Sequence, residues 1–163
     1  MKIEDLQNLI SKKVFLIESF LVTGNLKTDD NPDLVLRHGV TNYFLSSVIL
    51  ELFIKILYEI EFKEQAPFTH NILKIYEQLS TDTKILVRTK YDEARERREA
   101  IFKKVDNTVS FPPIHKLLES NEDFVKNFKY DAMASKTNSA IDGKFYDELF
   151  GFINAERDNL NGA

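Results

Sequence analysis

The sequence predicts an all-α fold, an antiparallel bundle of about six or seven helices. Three observations carry that reading. Apolar residues recur at spacings of three and four along most of the chain, the period of a helix with one buried face. Strict alternation of apolar and polar residues, the mark of a half-buried strand, is weak throughout. The breaks between periodic segments are short, which makes antiparallel neighbours the default. There is no internal repeat and no linker that divides the chain, so residues 1–163 read as one domain.

The elements follow in order. Ile3, Leu6, Leu9, Ile10, Val14, Ile17, Phe20 and Leu21 place a first helix at about 3–22. The segment TGNLKTDDNP is loop chemistry. Pro32 suits the first turn of a second helix, with Asp30 or Asn31 as its cap, running from about 33 to 62 with an expected interruption at Gly39. The loop KEQAPFTH comes next, and Thr69 is the expected cap of a short third helix, HNILKIYEQLS, with Ile72, Leu73, Ile75, Tyr76 and Leu79 on its apolar face. Ser80 or Thr81 caps a fourth helix at about 82–105, whose apolar positions Ile85, Leu86, Ala94, Ile101 and Phe102 are sparse. Phe111-Pro112-Pro113 breaks the chain. Short helices are expected at 113–119 and over NEDFVKNFKYDA, then a loop MASKTNSAIDG, then a last helix at about 144–160 with Phe145, Leu149, Phe150, Phe152 and Ile153 inward. The 13 phenylalanines fall mostly on these apolar faces and read as core rather than as a binding platform.

Composition removes whole classes of chemistry. With no cysteine there is no disulfide framework, thiolate cluster or cysteine nucleophile. At 43% hydrophobic the chain is not a disordered tail. The start MKIEDLQNLISKK lacks a signal-peptide pattern, and the longest apolar stretch carries Glu51, Lys55, Glu59 and Glu61, which are costly in a bilayer. The expectation is a soluble cytoplasmic protein with no membrane partner. GxGxxG, Walker A, GxSxG and calcium-loop patterns are absent, and His38, His70 and His115 have no metal-ligand spacing, so no cofactor and no metal site is expected.

Three constellations remain. Glu51, Lys55 and Glu59 lie four apart on one face of a helix that is otherwise apolar nearly all round. They form either a solvated, ion-paired edge or the lining of a polar groove between helices. His70, with Thr69 and Asn71, stands at a helix start; it either ties the loop to a carboxylate such as Glu51 or Glu59, or serves as an acid–base or ligand-binding group. Residues 84–104 hold eight basic against four acidic residues, a local +4 that leaves −8 on the rest of a chain totalling −4. Arg88, Arg95, Arg97, Arg98, Lys103 and Lys104 there are candidate nucleic-acid contacts; the opposing reading is an ion-paired helix with Glu93–Arg97 and Asp92–Arg95 pairs.

The run SVILELFIKILYEIEFKEQAPFTHNILKIYEQL resembles the centre of a HEPN domain, in which a Glu-x-x-x-Lys helix is followed by a loop, a His-Asn or His-Asp pair and a leucine-rich helix. Glu51, Lys55, Ile56, Leu57, His70, Asn71 and Leu73 carry the match. A second block, Phe124 or Phe128 before Lys129 and Tyr130, is similar to the family's later helix, with lysine where arginine is usual. The resemblance spans about 44–131. It implies a small helical bundle, a homodimer, and a place in prokaryotic toxin–antitoxin, phage-defence or RNA-processing systems. Its implied partners are RNA, a nucleotide, or a protein such as a nucleotidyltransferase. It makes Glu51, Lys55, His70 and Asn71 the ligand-binding candidates. The family's RNase signature, an arginine followed four to six residues later by histidine, is missing: Arg37 and His38 are adjacent, and His115 is far from Arg98. The expectation is therefore a non-catalytic binding domain, the alternatives being a divergent metal-independent RNase using His70 or His115 and a structural interaction protein.

Overall fold

The computed structural model describes residues 2–23, 32–104, 106–121 and 143–161, with side chains described for 2–21, 45–104, 106–121 and 144–159. All regular structure among the described residues is helical: α1 Ile3–Thr23, α2 Pro32–Phe62, α3 Ile72–Gln78, α4 Thr81–Phe102, α5 over 114–121, and α6 Gly143–Asn161. The chain is an all-α helical bundle, as its periodicity predicts. The second block of the HEPN resemblance, the expected helix after residue 121, the loop before 143, and the whole 24–31 loop with the cap candidates Asp30 and Asn31 lie outside the described residues.

The axis of the bundle is α2. Its 31 residues span about 46 Å, and the backbone passes through Gly39 without the expected interruption. A helix apolar on nearly every side must be covered on nearly every side. Ile49, Leu50, Phe53, Ile54, Ile56, Leu57, Tyr58 and Ile60 are all buried. α1 covers one side with Leu6, Ile10, Val14 and Ile17, the i, i+4, i+8, i+11 stripe read from the sequence; Ile3 falls off its end and is exposed. α6 covers another side. Phe53 stacks on Tyr146 at 5.9 Å and meets Phe150 edge-on at 6.4 Å.

The α2–α3–α4 corner is set by polar contacts. Lys63 ends α2 at φ 56°, its N–H bonded to the Glu59 carbonyl at 3.0 Å. The chain returns so that His70 meets Glu51, and α3 then runs beside the last turns of α2 in the same sense until Ser80 meets Glu61. The cap of α3 is Asn71, whose side chain accepts from Lys74 N; the expected cap, Thr69, instead accepts from Asn71 N at 3.0 Å. Ser80 caps α4 through Thr83 N, as expected. Glu61 reaches across from α2 and accepts from Ser80 N at 2.6 Å and from the Thr83 hydroxyl at 3.0 Å. A carboxylate there meets the positive end of the helix dipole and its orphan N–H groups.

α4 runs back along the bundle. Its buried line is Val87, Tyr91 and Ala94, not the Ile85, Ile101 and Phe102 expected from the sequence, which are exposed. Tyr91 is buried because its hydroxyl donates to the Pro112 carbonyl at 2.7 Å, and its ring meets Phe145 edge-on at 6.2 Å. The Phe111-Pro112-Pro113 break thus closes on α4: Phe111 N donates to Glu99, and the Arg98 guanidinium lies over the rings of Phe102 and Phe111 at 5.3 and 6.0 Å.

Candidate functional site

The charged stripe on α2 is not a solvated edge. Glu51 is 8% exposed and Glu59 is fully buried. Each is tolerated inside because it has a cation and hydrogen-bond donors. Glu51 takes Lys55 Nζ at 2.7 Å from its own helix and His70 Nδ1 at 3.1 and 3.2 Å from the loop. Glu59 pairs with Lys13 of α1 and accepts from Ala66 N at 3.1 Å. Two buried carboxylates therefore pin the loop between α2 and α3, one at Ala66 and one at His70.

A carboxylate only accepts, so the proton of a neutral His70 ring sits on Nδ1, leaving Nε2 as an acceptor without a hydrogen bond among the described residues. The His70 side chain is 53% exposed. The loop around it is locked by short bonds: Thr69 N to Pro67 O at 2.9 Å, Asn71 N to Thr69 Oγ1 at 3.0 Å, and Ile72 N to His70 O at 2.9 Å. Phe68, two residues before His70, is fully exposed. Of the four ligand-binding candidates, Glu51, Lys55 and His70 form one connected cluster; Asn71 adjoins it but spends its side chain on capping α3. Tyr58 beside them donates to Glu64 at 2.7 Å, and that hydrogen bond holds its phenol above the ordinary range.

The basic residues of α4, the candidates Arg88, Arg95 and Arg97 among them, separate into two flanks of the buried line. Lys84, Arg88 and Arg95 fall on one side, Lys90 and Arg97 on the other, and Asp92, Glu93 and Glu96 face outward between them. Much of this charge is already matched. Arg95 pairs with Asp92 at 3.4 Å as expected, Lys103 with Glu99 at 2.7 Å, and Lys90 with Glu93 and with Glu148 of α6 at 3.3 and 3.4 Å. Arg98 is committed to its two aromatic rings. Arg88 and Lys104 are exposed and make no side-chain hydrogen bond or ion pair among the described residues. Arg88 lies close enough to Tyr76 to oppose the upward push that burial gives that phenol. No side-chain bond joins the Glu51–Lys55–His70 cluster to α4.

His115 stands on α5, exposed, close enough to Glu119 to add to the downward shift that Lys116 imposes on that carboxyl. It has no bond to His70. Among the described residues no cluster of three or more histidines and carboxylates is arranged to hold a metal ion, and no helix is long and apolar enough to cross a membrane. On the outward face of α1 a shallow groove of about 460 Å³ is lined by Asn8, Ser11, Lys12, Phe15 and Leu16.

Lys13 and Phe68 are the residues that sequence reasoning missed. Lys13 looks like any surface lysine beside Lys12; nothing local links it to a carboxylate 46 residues on. Phe68 leaves one sign in the sequence: it is the lone phenylalanine of a polar loop, next to proline and two residues from the singled-out histidine. No protein-family model, no curated protein and no solved structure matches this chain.

Proposed function

We propose that this chain is a non-catalytic, HEPN-like helical domain that binds RNA or a nucleotide at the 67–71 loop. One observation carries the reading: a loop locked by tight hydrogen bonds presents Phe68 and His70 together to solvent. An exposed aromatic face stacks on bases without demanding a sequence, and such stacking contributes roughly 1–3 kcal/mol per base. The imidazole, held at Nδ1 by a buried carboxylate, offers Nε2 as an acceptor to a ribose hydroxyl. Arg88 and Lys104 on α4 add phosphate contacts. The Glu51, Lys55, His70 and Leu73 pattern supports the same family reading. That reading also carries a homodimer, a cytoplasmic setting, and a protein partner of nucleotidyltransferase type in a defence or toxin–antitoxin pair.

Fluorescence anisotropy with labelled single-stranded RNA and with nucleotides tests this. Phe68→Ser and His70→Ala should each weaken binding about tenfold or more, and Arg88→Glu should flatten the salt dependence by about one unit of log–log slope. Wild-type protein that binds neither RNA nor nucleotide ends the proposal.

The His70–Glu51 dyad favours a second reading. An imidazole oriented at one nitrogen by a carboxylate and open at the other is the arrangement of a general base. A metal-independent RNase would use His70 Nε2 to take the 2′-OH proton. RNA cleavage in EDTA that disappears with His70→Ala and survives His115→Ala would replace binding with catalysis.

A further inference from the structure

Glu59 joins α1 to the loop that carries His70, bonded to Lys13 on one side and to the Ala66 amide on the other. We infer that it couples the two: the seating of Lys13 fixes the loop, and loss of that seat releases it. The carboxylate is fully buried, and its Oε1 serves both Lys13 Nζ and the Ala66 amide. Its Oε2 has no partner among the described residues. The lysines one turn away on its own helix do not neutralise it: Lys55 is bonded to Glu51, and Lys63 is exposed with no side-chain bond among the described residues. The charge on Glu59 is thus compensated from α1, while its hydrogen bond is spent on the loop.

Glu51 offers a contrast. It carries its cation on the same helix at i+4, so the His70 anchor stands without α1. The Ala66 anchor does not. A buried carboxylate deprived of its cation must turn toward water or take up a proton. Turning releases the Ala66 N–H, and with it the front half of the loop that ends in Phe68 and His70. Two anchors of different dependence make the loop a strap: fixed at His70 by α2, and conditionally fixed at Ala66 by α1.

Native-state hydrogen exchange on the free protein tests the coupling. In Lys13→Met, exchange at Ala66 and the neighbouring loop amides should rise tenfold or more relative to amides in the middle of α4 and α6. Adding Glu59→Gln should bring the loop back to within a few-fold of wild type, because a neutral amide needs no cation and its oxygen still accepts from Ala66. If Lys13→Met does not fold, Lys13→Gln takes its place, with a smaller local rise expected. A uniform rise across all helices, an unchanged Ala66, or failure of Glu59→Gln to restore protection would each overturn the coupling. Its effect on ligand capture rests on the reading of Phe68 and His70 as the binding loop. A loop that loosens as expected while RNA binding stays unchanged would therefore sink that reading and leave the coupling intact.

Discussion

Replacing Lys63 by glycine should stabilise the protein. Lys63 sits in the left-handed region at φ 56°, where its Cβ crowds the following carbonyl at a cost of roughly 1–2 kcal/mol. Its N–H closes α2 on the Glu59 carbonyl at 3.0 Å, the single bond with which many helices end at a glycine. Glycine keeps that bond and removes the clash, but it returns roughly 0.5–1 kcal/mol through its freer unfolded chain. The lysine is exposed and its ammonium has no partner among the described residues, so no packing or ion pair is lost. The net gain is about 0.5–1 kcal/mol, or a rise in Tm of roughly 1–4 °C for a chain of this size. Urea and thermal unfolding followed by circular dichroism would measure it. Lys63→Ala separates the causes: it removes the charge and the stem but keeps the Cβ, so it should leave stability nearly unchanged. If alanine stabilises as much as glycine, or glycine destabilises, the backbone conformation is not what limits this helix end.

Three other outcomes are expected. Phe53→Ala, which empties the fully buried site between Tyr146 and Phe150, should cost about 3–5 kcal/mol by chemical denaturation. Ser80→Ala should cost only about 0.5–1 kcal/mol in the same assay, at the low end for a lost cap, because Glu61 still accepts from the first turn of α4. Glu99 is held below the usual carboxylate range by Lys103 and by the Phe111 amide, Asp106 by the hydroxyl and amide of Thr108, and Glu119 by Lys116. Their folded pKa values lie below the unfolded ones, so the stability they contribute is present above the unfolded carboxylate range near pH 4 and is lost as pH falls through the folded values. The thermal midpoint should drop below about pH 4, and less steeply in Glu99→Gln.

Periodicity located α1, α2, α3 and α6 because each has an apolar stripe of its own, while α4 was legible from its cap and its breaks more than from its sparse apolar positions. It failed where the deciding partner is distant. The spacing of Glu51, Lys55 and Glu59 puts them on one face but not inside or outside; burial of Glu59 is settled by Lys13, on another helix. On α4 the sequence offers Ile85, Ile101 and Phe102 as apolar residues, yet Tyr91 takes the core because Pro112 accepts its hydroxyl. The end of α2 carries no glycine or proline, so a lysine in a left-handed conformation left no signal. His70 was legible as a residue that ties the loop to Glu51, since a histidine at a helix start seeks an acceptor. Why its loop also exposes Phe68 was not, because exposure depends on turns made by the backbone of Pro67, Thr69 and His70.

The carboxylate that Glu61 lends to α4 makes that helix's first turn conditional on its neighbour. A peptide covering 80–104 alone would keep Ser80 but lose the acceptor for the Ser80 amide, and its start should fray. Only a fragment beginning upstream of Glu61 carries the instructions for a complete α4. The shortest piece of this chain expected to hold that junction therefore spans α2 through α4.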